Sequence, residues 1–173
     1  MKKNGYEVDS LFEFHHELIC KEINLMDENE KLIDGIIFSS VKKINHENGD
    51  IFHIIRNFDE GFEGFGEAYI SNVKYNEIKA WKRHFQMTSN MVVPLGIVKI
   101  VIFDDRKNSS THGIFNEFIL SPENYFRLTI PPNLLYGFKG LEKSINMIIN
   151  IADIPHDPIE QINYKKDYIN YKW

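Results

Sequence analysis

Several residue types that mark common functional classes are scarce in this sequence. Its 173 residues include a single cysteine, Cys20, so an internal disulfide and a cysteine-based zinc site are both excluded. One free thiol is typical of a reducing compartment, and we expect a cytoplasmic protein. Basic charge is not in excess either, because 20 Lys and Arg stand against 25 Asp and Glu, for a formal net charge of −5. This balance argues against a nucleic-acid-binding protein.

Long apolar runs are absent as well. No stretch approaches the ~20 apolar residues that a transmembrane helix needs, and the lysines near the N-terminus are not followed by the apolar segment of a secretory signal. We therefore expect no association with a membrane. The sequence also has neither a glycine-rich phosphate loop nor a Gly-x-Ser-x-Gly motif. Hydrophobic residues nevertheless make up 43% of the chain, which is enough for one domain with its own core.

Residues 9–31 have the pattern of an amphipathic helix. Ser10 and Glu13 form a capping-box pair at its start, and apolar residues then recur at helical spacing. The polar face is acidic rather than rich in lysine and arginine, so we expect the helix to pack on the main domain or on a second subunit and not on a membrane. Residues 1–32 are accordingly assigned to an N-terminal helical extension.

From residue 33 onward the chain has the pattern of a β protein. Short segments rich in β-branched and aromatic residues are separated by turn signals such as Asn48-Gly49. Many short strands with almost no helix between them predict an all-β domain over residues 33–173, built as an antiparallel sandwich or small barrel. The tail from Pro155 is polar and aromatic, and we expect it to wrap around the outside of this domain.

A short basic and aromatic cluster at residues 81–86 contains His84. If this segment is a strand, residues two apart share a face, so Lys82 and His84 point to one side and Arg83 to the other. An imidazole has an unperturbed pKa of about 6.5, and the two neighbouring cations would lower the pKa of His84. His84 is thus a candidate general base in a pocket for an anionic ligand, with Lys82 as the pocket cation and Arg83 in an outer-face salt bridge. A surface histidine in a basic loop is the alternative.

Metal binding is not expected. A β-barrel metal site commonly uses two histidines spaced as His-x-His, which places both on one face of a strand. Here Lys82 occupies the first position of that spacing, where its charge would repel a divalent ion, and Tyr136 stands where a late histidine ligand would be expected. The other histidines are expected to be surface or structural residues: His15, His16, His46, His53, His112 and His156.

Five blocks of residues, taken in order and with their spacing, carry a family resemblance. They are Asn48-Gly49-Asp50-Ile51 through Arg56, Phe65-Gly66-Glu67-Ala68-Tyr69, Ala80-Trp81-Lys82-Arg83-His84 with Thr88-Ser89-Asn90, Asp104-Asp105-Arg106 with Ser109-Ser110-Thr111, and Ile130-Pro131-Pro132 with Tyr136-Gly137-Phe138. In these blocks the chain resembles the dTDP-4-dehydrorhamnose 3,5-epimerase-like cupins. The resemblance runs from residue 33 to the C-terminus and implies a cupin jelly roll, with the N-terminal helix as an addition to it.

The resemblance also implies a reaction. Members of this family epimerise a nucleoside-diphosphate 4-keto-6-deoxy sugar beside its keto group, without a metal or another cofactor, for surface-polysaccharide or lipopolysaccharide synthesis. His84 matches their base, Asn90 a group near the enolate oxygen, and Asp167 is the candidate carboxylate that orients the base. The positions implied to bind substrate, with dTDP as the expected nucleotide, are Lys82, Arg56, Tyr69, Ser71, Arg127 and Tyr136. Relatives of this type form homodimers, and a homodimer is expected here.

The chain departs from the family pattern at three places. Asn48 replaces an arginine, Tyr136 replaces a histidine before Gly-Phe, and the tyrosine acid of the last core strand has no counterpart in residues 147–150. A second hypothesis therefore stays open, a catalytically degenerate cupin that binds a nucleotide sugar or a partner without turnover. A third, a metal-dependent cupin oxygenase, is disfavoured by Lys82 and Tyr136.

Overall fold

The structure, a computed structural model, describes residues 31–173. The helix predicted over residues 9–31, and with it the N-terminal extension of residues 1–32, lies outside the described residues apart from residues 31 and 32, which are not helical. The statements that follow concern the described part of the chain.

The described residues form strands and almost no helix. The strands are β1 Ile37–Ser40, β2 Lys43–Ile44, β3 Ile51–Phe52, β4 Glu67–Asn72, β5 Ile78–His84, β6 Ser89–Leu95, β7 Val98–Phe103, β8 Phe115–Leu120, β9 Phe126–Ile130, β10 Leu135–Gly140, β11 Met147–Ala152 and β12 Gln161–Asn163, and a 3-10 turn spans Lys166–Tyr168. The prediction of an all-β domain is confirmed.

The strands are arranged in two five-stranded sheets. The first has the order β1-β9-β6-β11-β4, the second has the order β12-β5-β10-β7-β8, and β2 and β3 form a separate pair. Neighbouring strands run antiparallel throughout. Strands that lie side by side in these sheets are often far apart in sequence, which is the layout expected of a jelly-roll sandwich.

Strand β7 illustrates how the apolar sequence builds the interior. It lies between β10 and β8, away from the sheet edge, and its side chains alternate between the two faces of the second sheet. Val98, Ile100 and Ile102 share the inner face and are each 0% exposed, and Val101 on the outer face is equally buried. Both faces of the strand are therefore covered, as the nearly continuous apolar sequence predicts.

The C-terminal tail covers the outer face of the second sheet. Trp81, Val101 and Leu135 form a buried apolar cluster there. The aromatic side chains packed against this cluster include three from the tail, Tyr164, Tyr171 and Trp173. Trp81 exchanges backbone hydrogen bonds with Tyr164, at 3.1 and 2.8 Å, and its indole Nε1 donates to the Lys166 carbonyl oxygen at 3.2 Å. The prediction that the tail wraps the outside is confirmed.

A buried carboxylate organises the turn after β7. Asp104 is 0% exposed. It accepts hydrogen bonds from the Arg106 guanidinium at 2.8 Å and from the hydroxyls of Ser109 and Thr111, each at 2.6 Å. Burial alone would raise the pKa of Asp104, but these hydrogen bonds outweigh it and hold the pKa well below 3.8. The turn is therefore built around a fixed negative charge.

Strand β5 contains one extra residue relative to its neighbour β10. Tyr136 pairs with Lys82 and Phe138 pairs with Lys79, so two steps along β10 match three steps along β5. Such a bulge reverses the usual alternation of side chains. As a result Lys79, which regular alternation would place opposite Lys82, lies on the same side as Lys82.

In the described residues no helix is long and apolar enough to cross a membrane.

Replacing Trp81 by alanine is expected to destabilise the domain by about 3–5 kcal/mol, because the change leaves a large cavity under the tail. Trp81 is 1% exposed, whereas Phe65, a matched aromatic control, is 68% exposed. Urea unfolding of Trp81→Ala and Phe65→Ala would measure both costs. For Phe65→Ala we expect a change within about 0.5 kcal/mol. Equal effects of the two substitutions would contradict the packing described here.

Candidate active site

Two adjoining cavities lie between the sheets. The larger has a volume of about 370 Å³ and the smaller about 300 Å³, and Tyr69 and Lys82 line both of them. The second sheet contributes His84 to the smaller cavity and Tyr136 to the larger one. The first sheet contributes the facing wall, including Asn150. Side chains from both sheets therefore converge on one space.

His84 is held by a buried carboxylate. Its Nδ1 lies 2.6 Å from Oε2 of Glu160, and both residues are almost fully buried. The other carboxylate oxygen accepts the backbone N–H groups of Gln86 at 2.8 Å and Met87 at 2.9 Å. With a proton on Nδ1 donated to Glu160, the lone pair of a neutral imidazole resides on Nε2. Nε2 is buried and has no hydrogen-bond partner among residues 31–173.

The environment keeps His84 neutral near pH 7. Burial is the main cause that lowers the pKa of His84, and the positive charge of Lys82 adds to it, while the bond to Glu160 acts in the opposite direction. For Glu160, burial would raise the pKa, but the hydrogen bonds from Gln86, His84 and Met87 outweigh it and the pKa is lowered. A neutral imidazole beside an ionised carboxylate is the arrangement of an oriented general base.

Arg83 has no part in this balance. It points to the outer face, where its guanidinium contacts Asp105 at 2.5 Å. Alternation along β5 therefore holds from Lys82 to His84, and the sequence prediction that Arg83 forms an outer-face salt bridge is confirmed. Only one of the two cations expected to lower the pKa of His84 does so.

The sequence suggested Asp167 as the carboxylate that orients His84, but this expectation is wrong. The carboxylate that bonds His84 is Glu160. Asp167 is exposed and lies in the 3-10 turn beyond β12. Glu160 reaches His84 because Gln161 at the start of β12 pairs with His84 and because the Phe85 N–H donates to the Glu160 carbonyl oxygen at 2.9 Å. No local sequence signal announces a contact across 76 positions, since it depends on where the tail pairs with β5.

Asn90 does not face the cavity, which corrects its expected place beside an enolate oxygen. Its Nδ2 donates to the Gly61 carbonyl oxygen at 3.0 Å and its Oδ1 accepts the Thr129 hydroxyl at 2.6 Å, so both polar groups are occupied. The neighbouring Met91 lines the larger cavity. Alternation along β6 then turns Ser89 inward, where it accepts a hydrogen bond from Asn150 at 3.3 Å.

Arg56 and Arg127 are also placed away from His84. Arg127 donates to the carbonyl oxygens of Glu60 at 2.6 Å and Ile54 at 3.2 Å, and Arg56 Nε donates to Asp59 at 2.9 Å. Both arginines line a separate cavity of about 130 Å³. The structure therefore gives them contacts within the segment between β3 and β4, in place of the expected substrate contacts beside the base.

The other expected residues are brought together. Tyr69, Ser71, Lys82 and Tyr136 all line the larger cavity, together with Lys79, which sequence reasoning missed because the bulge in β5 cannot be read from the sequence. Lys79 Nζ donates to the Ser71 hydroxyl at 3.1 Å. Burial, together with the charge of Lys79, lowers the pKa of Lys82. The larger cavity therefore has two cations, and one of them, Lys82, also borders the smaller cavity that His84 lines.

Tyr136 packs beside the imidazole. Its ring lies almost parallel to that of His84, with centroids 6.1 Å apart and an interplanar angle of 20°. The Tyr136 hydroxyl has no hydrogen-bond partner among the described residues. Burial raises the pKa of Tyr136 well above 10, and the nearby Tyr69 and Glu160 act in the same direction. Tyr136 is therefore a neutral donor with its proton available.

A metal centre has no obvious ligand set in this part of the chain. Within residues 31–173, no three or more His, Cys, Asp and Glu side chains are grouped so that they could hold a metal ion. The chemistry that the described cavity supports is proton transfer. A neutral imidazole with a free Nε2, next to a cation and phenol hydroxyls, can remove a weakly acidic proton and stabilise the resulting anion.

Comparison with solved structures gives a close match over most of the chain. A dTDP sugar isomerase from Desulfovibrio desulfuricans G20 is 35% identical, with a TM-score of 0.79, and the match covers 83% of this chain and 95% of that protein. A dTDP-4-dehydrorhamnose 3,5-epimerase from Sulfolobus tokodaii has the same fold at 23% identity and a TM-score of 0.71, over 82% of this chain and 84% of that protein. No protein-family model matches the chain.

Curated relatives point in the same direction. A spore coat polysaccharide biosynthesis protein from Bacillus subtilis is 24% identical over 146 residues, which is 82% of this chain and 97% of that protein. A probable low-salt glycan biosynthesis epimerase from Haloferax volcanii is 28% identical over 133 residues, which is 73% of this chain and 85% of that protein. In each case this chain spans most of the relative.

The pKa of His84 is expected to lie below 6.5 and to fall further in Glu160→Gln, because the carboxylate is the group that favours the imidazolium. A pH titration followed by imidazole ¹⁵N chemical shifts would measure both values. Glu67→Gln is the matched control, since Glu67 lines the same cavity without a hydrogen bond to His84. A His84 pKa above 6.5, or one that rises in Glu160→Gln, would contradict the described pairing.

Proposed function

The chain belongs to the family of dTDP-sugar isomerases and epimerases related to dTDP-4-dehydrorhamnose 3,5-epimerase, and on this basis we propose that it epimerises a nucleoside-diphosphate 4-keto-6-deoxy sugar. A ketoisomerase reaction on the same class of substrate begins with the same proton removal and is the second form of the proposal. The product would enter the synthesis of a surface polysaccharide or lipopolysaccharide, in line with the biosynthetic roles of the two curated relatives.

The observation that carries this proposal is the free Nε2 of His84. Nδ1 is fixed by Glu160 at 2.6 Å, and Nε2 is buried at the cavity without a partner among residues 31–173. A proton next to a keto group is acidic enough for an oriented imidazole to remove, since the electron pair can pass into the carbonyl oxygen. A general base of this kind contributes roughly 10²–10⁴-fold to the rate.

Two residues are proposed to stabilise the enolate oxygen. Lys82 supplies a positive charge from the same strand as His84, and Tyr136 supplies a neutral hydroxyl whose proton is available. A donor aimed at a developing oxyanion in a site that excludes water lowers the barrier by about 3 kcal/mol. Lys82 keeps the role that the sequence gave it, and Tyr136 replaces Asn90 beside the enolate oxygen.

The nucleotide side of the substrate is proposed to lie toward Lys79. Lys79 and Lys82 both face the larger cavity, and two cations close together suit a diphosphate. The relatives from Desulfovibrio desulfuricans and Sulfolobus tokodaii are both dTDP-sugar enzymes, and we propose dTDP as the nucleotide here as well. The sugar would then occupy the space beside His84, where the smaller cavity adjoins the larger one.

An active enzyme is favoured over a catalytically degenerate binding protein. The lost arginine and histidine of the family pattern are partly compensated here, because Lys79 adds a cation and Tyr136 keeps a hydroxyl beside the base. A carboxylate also holds His84 in the orientation that a base requires. A protein that only binds the sugar would have no need of this buried pair.

We further propose that the protein is a cytoplasmic homodimer. A single cysteine suits a reducing compartment. Apolar side chains remain exposed on the outer face of the first sheet, with Ile70 on β4 at 58% and Leu95 on β6 at 46%. Exposed apolar residues on one sheet face are typical of a subunit contact. Light scattering should give twice the chain mass, and a monomer at all concentrations would exclude the homodimer.

Deuterium exchange tests the reaction. The protein is expected to incorporate deuterium at C3 or C5 of a dTDP-4-keto-6-deoxyhexose in D₂O, and His84→Ala should lower the rate by about 100-fold or more. Proton NMR of the sugar follows both carbons. His112→Ala, at an exposed histidine, is the matched control and should exchange normally. Exchange that is equally fast in His84→Ala would refute the role of His84.

Lys79→Ala is expected to weaken dTDP binding by about 10-fold, with a loss that shrinks as salt is added, because the contact is a charge pair near solvent. Isothermal titration with dTDP at two salt concentrations measures the effect. Lys74→Ala is the matched control, since Lys74 is also exposed but does not line the cavity. Equal affinities of the two variants would place the diphosphate elsewhere.

A further inference from the structure

Inversion at a carbon sets a geometric requirement on the site. The base must remove the proton from one face of the sugar ring, and an acid must return a proton to the opposite face. His84 reaches the cavity from β5 in the second sheet. The acid is therefore to be sought on the first sheet, which forms the facing wall. The following inference rests on the proposed epimerase function and identifies its second catalytic group.

One side chain of the first sheet combines the right position with the right chemistry. The polar residues that β4, β6 and β11 turn toward the two cavities are Glu67, Tyr69, Ser71, Ser89 and Asn150. Among these, the phenol of Tyr69 combines a proton that is present at neutral pH with an ordinary pKa, near 10, that allows the proton to be given up. Tyr69 also lines the smaller cavity together with His84, so the two side chains border the same space.

The hydrogen bond of Tyr69 leaves its proton free. Asn150 Nδ2 lies 3.0 Å from the Tyr69 hydroxyl oxygen and 3.3 Å from the Ser89 hydroxyl oxygen. An amide NH₂ group can only donate, so the Tyr69 oxygen is the acceptor in this bond. The O–H proton of Tyr69 is then not used in the contact. Asn150 thus fixes the hydroxyl in place and also favours the tyrosinate that remains after a proton is given away.

We propose that Tyr69 is the general acid that protonates the enolate on the face opposite His84. His84 Nε2 takes the α-proton, the C–H bond breaks, and its electron pair passes into the enolate oxygen. The Tyr69 O–H bond then breaks and a new C–H bond forms on the other face. The products are the inverted keto sugar, an imidazolium and a tyrosinate. Water in the cavity carries a proton from the imidazolium to the tyrosinate, which restores the starting state.

Tyr136 does not meet the geometric requirement. It lies on β10, the strand next to β5, and pairs in register with Lys82. Its ring is nearly parallel to that of His84, so both project from the same wall. A proton from Tyr136 would return to the face from which His84 removed it.

The influences on the pKa of Tyr69 fit the role of an acid. Burial raises the pKa of Tyr69 and keeps the hydroxyl protonated, while the hydrogen bond from Asn150 opposes that rise.

The test separates proton removal from inversion. Wild-type protein, Tyr69→Phe, Tyr136→Phe and Tyr75→Phe are each incubated with a dTDP-4-keto-6-deoxyhexose in D₂O, and NMR follows deuterium incorporation and configuration at the same carbon. For Tyr69→Phe we expect deuterium incorporation with unchanged configuration, because His84 still removes and returns the proton, while inversion falls by about 100-fold or more. Tyr136→Phe should slow both processes in parallel. Tyr75, which is 44% exposed, is the neutral control.

Each remaining outcome overturns the inference in a recognisable way. If Tyr69→Phe inverts as fast as the wild type, the acid is another group. If Tyr69→Phe loses exchange and inversion to the same degree while a thermal shift with dTDP shows a folded, binding-competent protein, Tyr69 binds substrate and donates no proton. A wild type that exchanges but never inverts refutes the role of Tyr69 and leaves His84 as the base. A wild type that does neither removes the proposed function itself.

Discussion

The hydrogen bond between His84 and Glu160 is the contact on which the candidate site depends. Its carboxylate is buried, and a buried charge is tolerated only when its oxygens are paired. Here the imidazole takes one oxygen and two backbone N–H groups take the other. The pairing of β12 with β5 brings these groups together. The orientation of the imidazole, its tautomer and its free Nε2 all follow from where one edge strand is attached.

Local charge and overall charge differ in sign in this protein. The chain has a formal net charge of −5, yet the cavity is bordered by Lys79 and Lys82. The extra residue in β5 produces this arrangement, because it turns both lysines to one side. Long-range attraction of an anion to the whole surface is thus weak, and specificity for an anionic ligand arises close to the cavity, where burial strengthens each charge.

Sequence reasoning predicted the features that follow from regular alternation. It identified the β domain, the tail on the outer face, and the opposite directions of His84 and Arg83. It failed where regularity fails or where distant segments meet. The bulge in β5 hid the position of Lys79 at the cavity. Along β6 the side chain turned toward the cavity is that of Ser89 and not that of its neighbour Asn90. The pairing of the tail with β5 placed Glu160, and not Asp167, beside His84. Arg56 and Arg127 were misplaced because their partners lie on a long irregular segment.

The two faces of β5 have different occupants but a single backbone. Trp81 is sealed on the outside by tail aromatics, while Lys82 and His84 border the cavity on the inside. A substitution in the outer cluster, for example at Trp173, therefore alters the packing of the strand that carries the imidazole, although it touches no ligand. Selection for catalysis within the sandwich therefore also constrains the outer aromatic residues, although these residues do not contact the substrate.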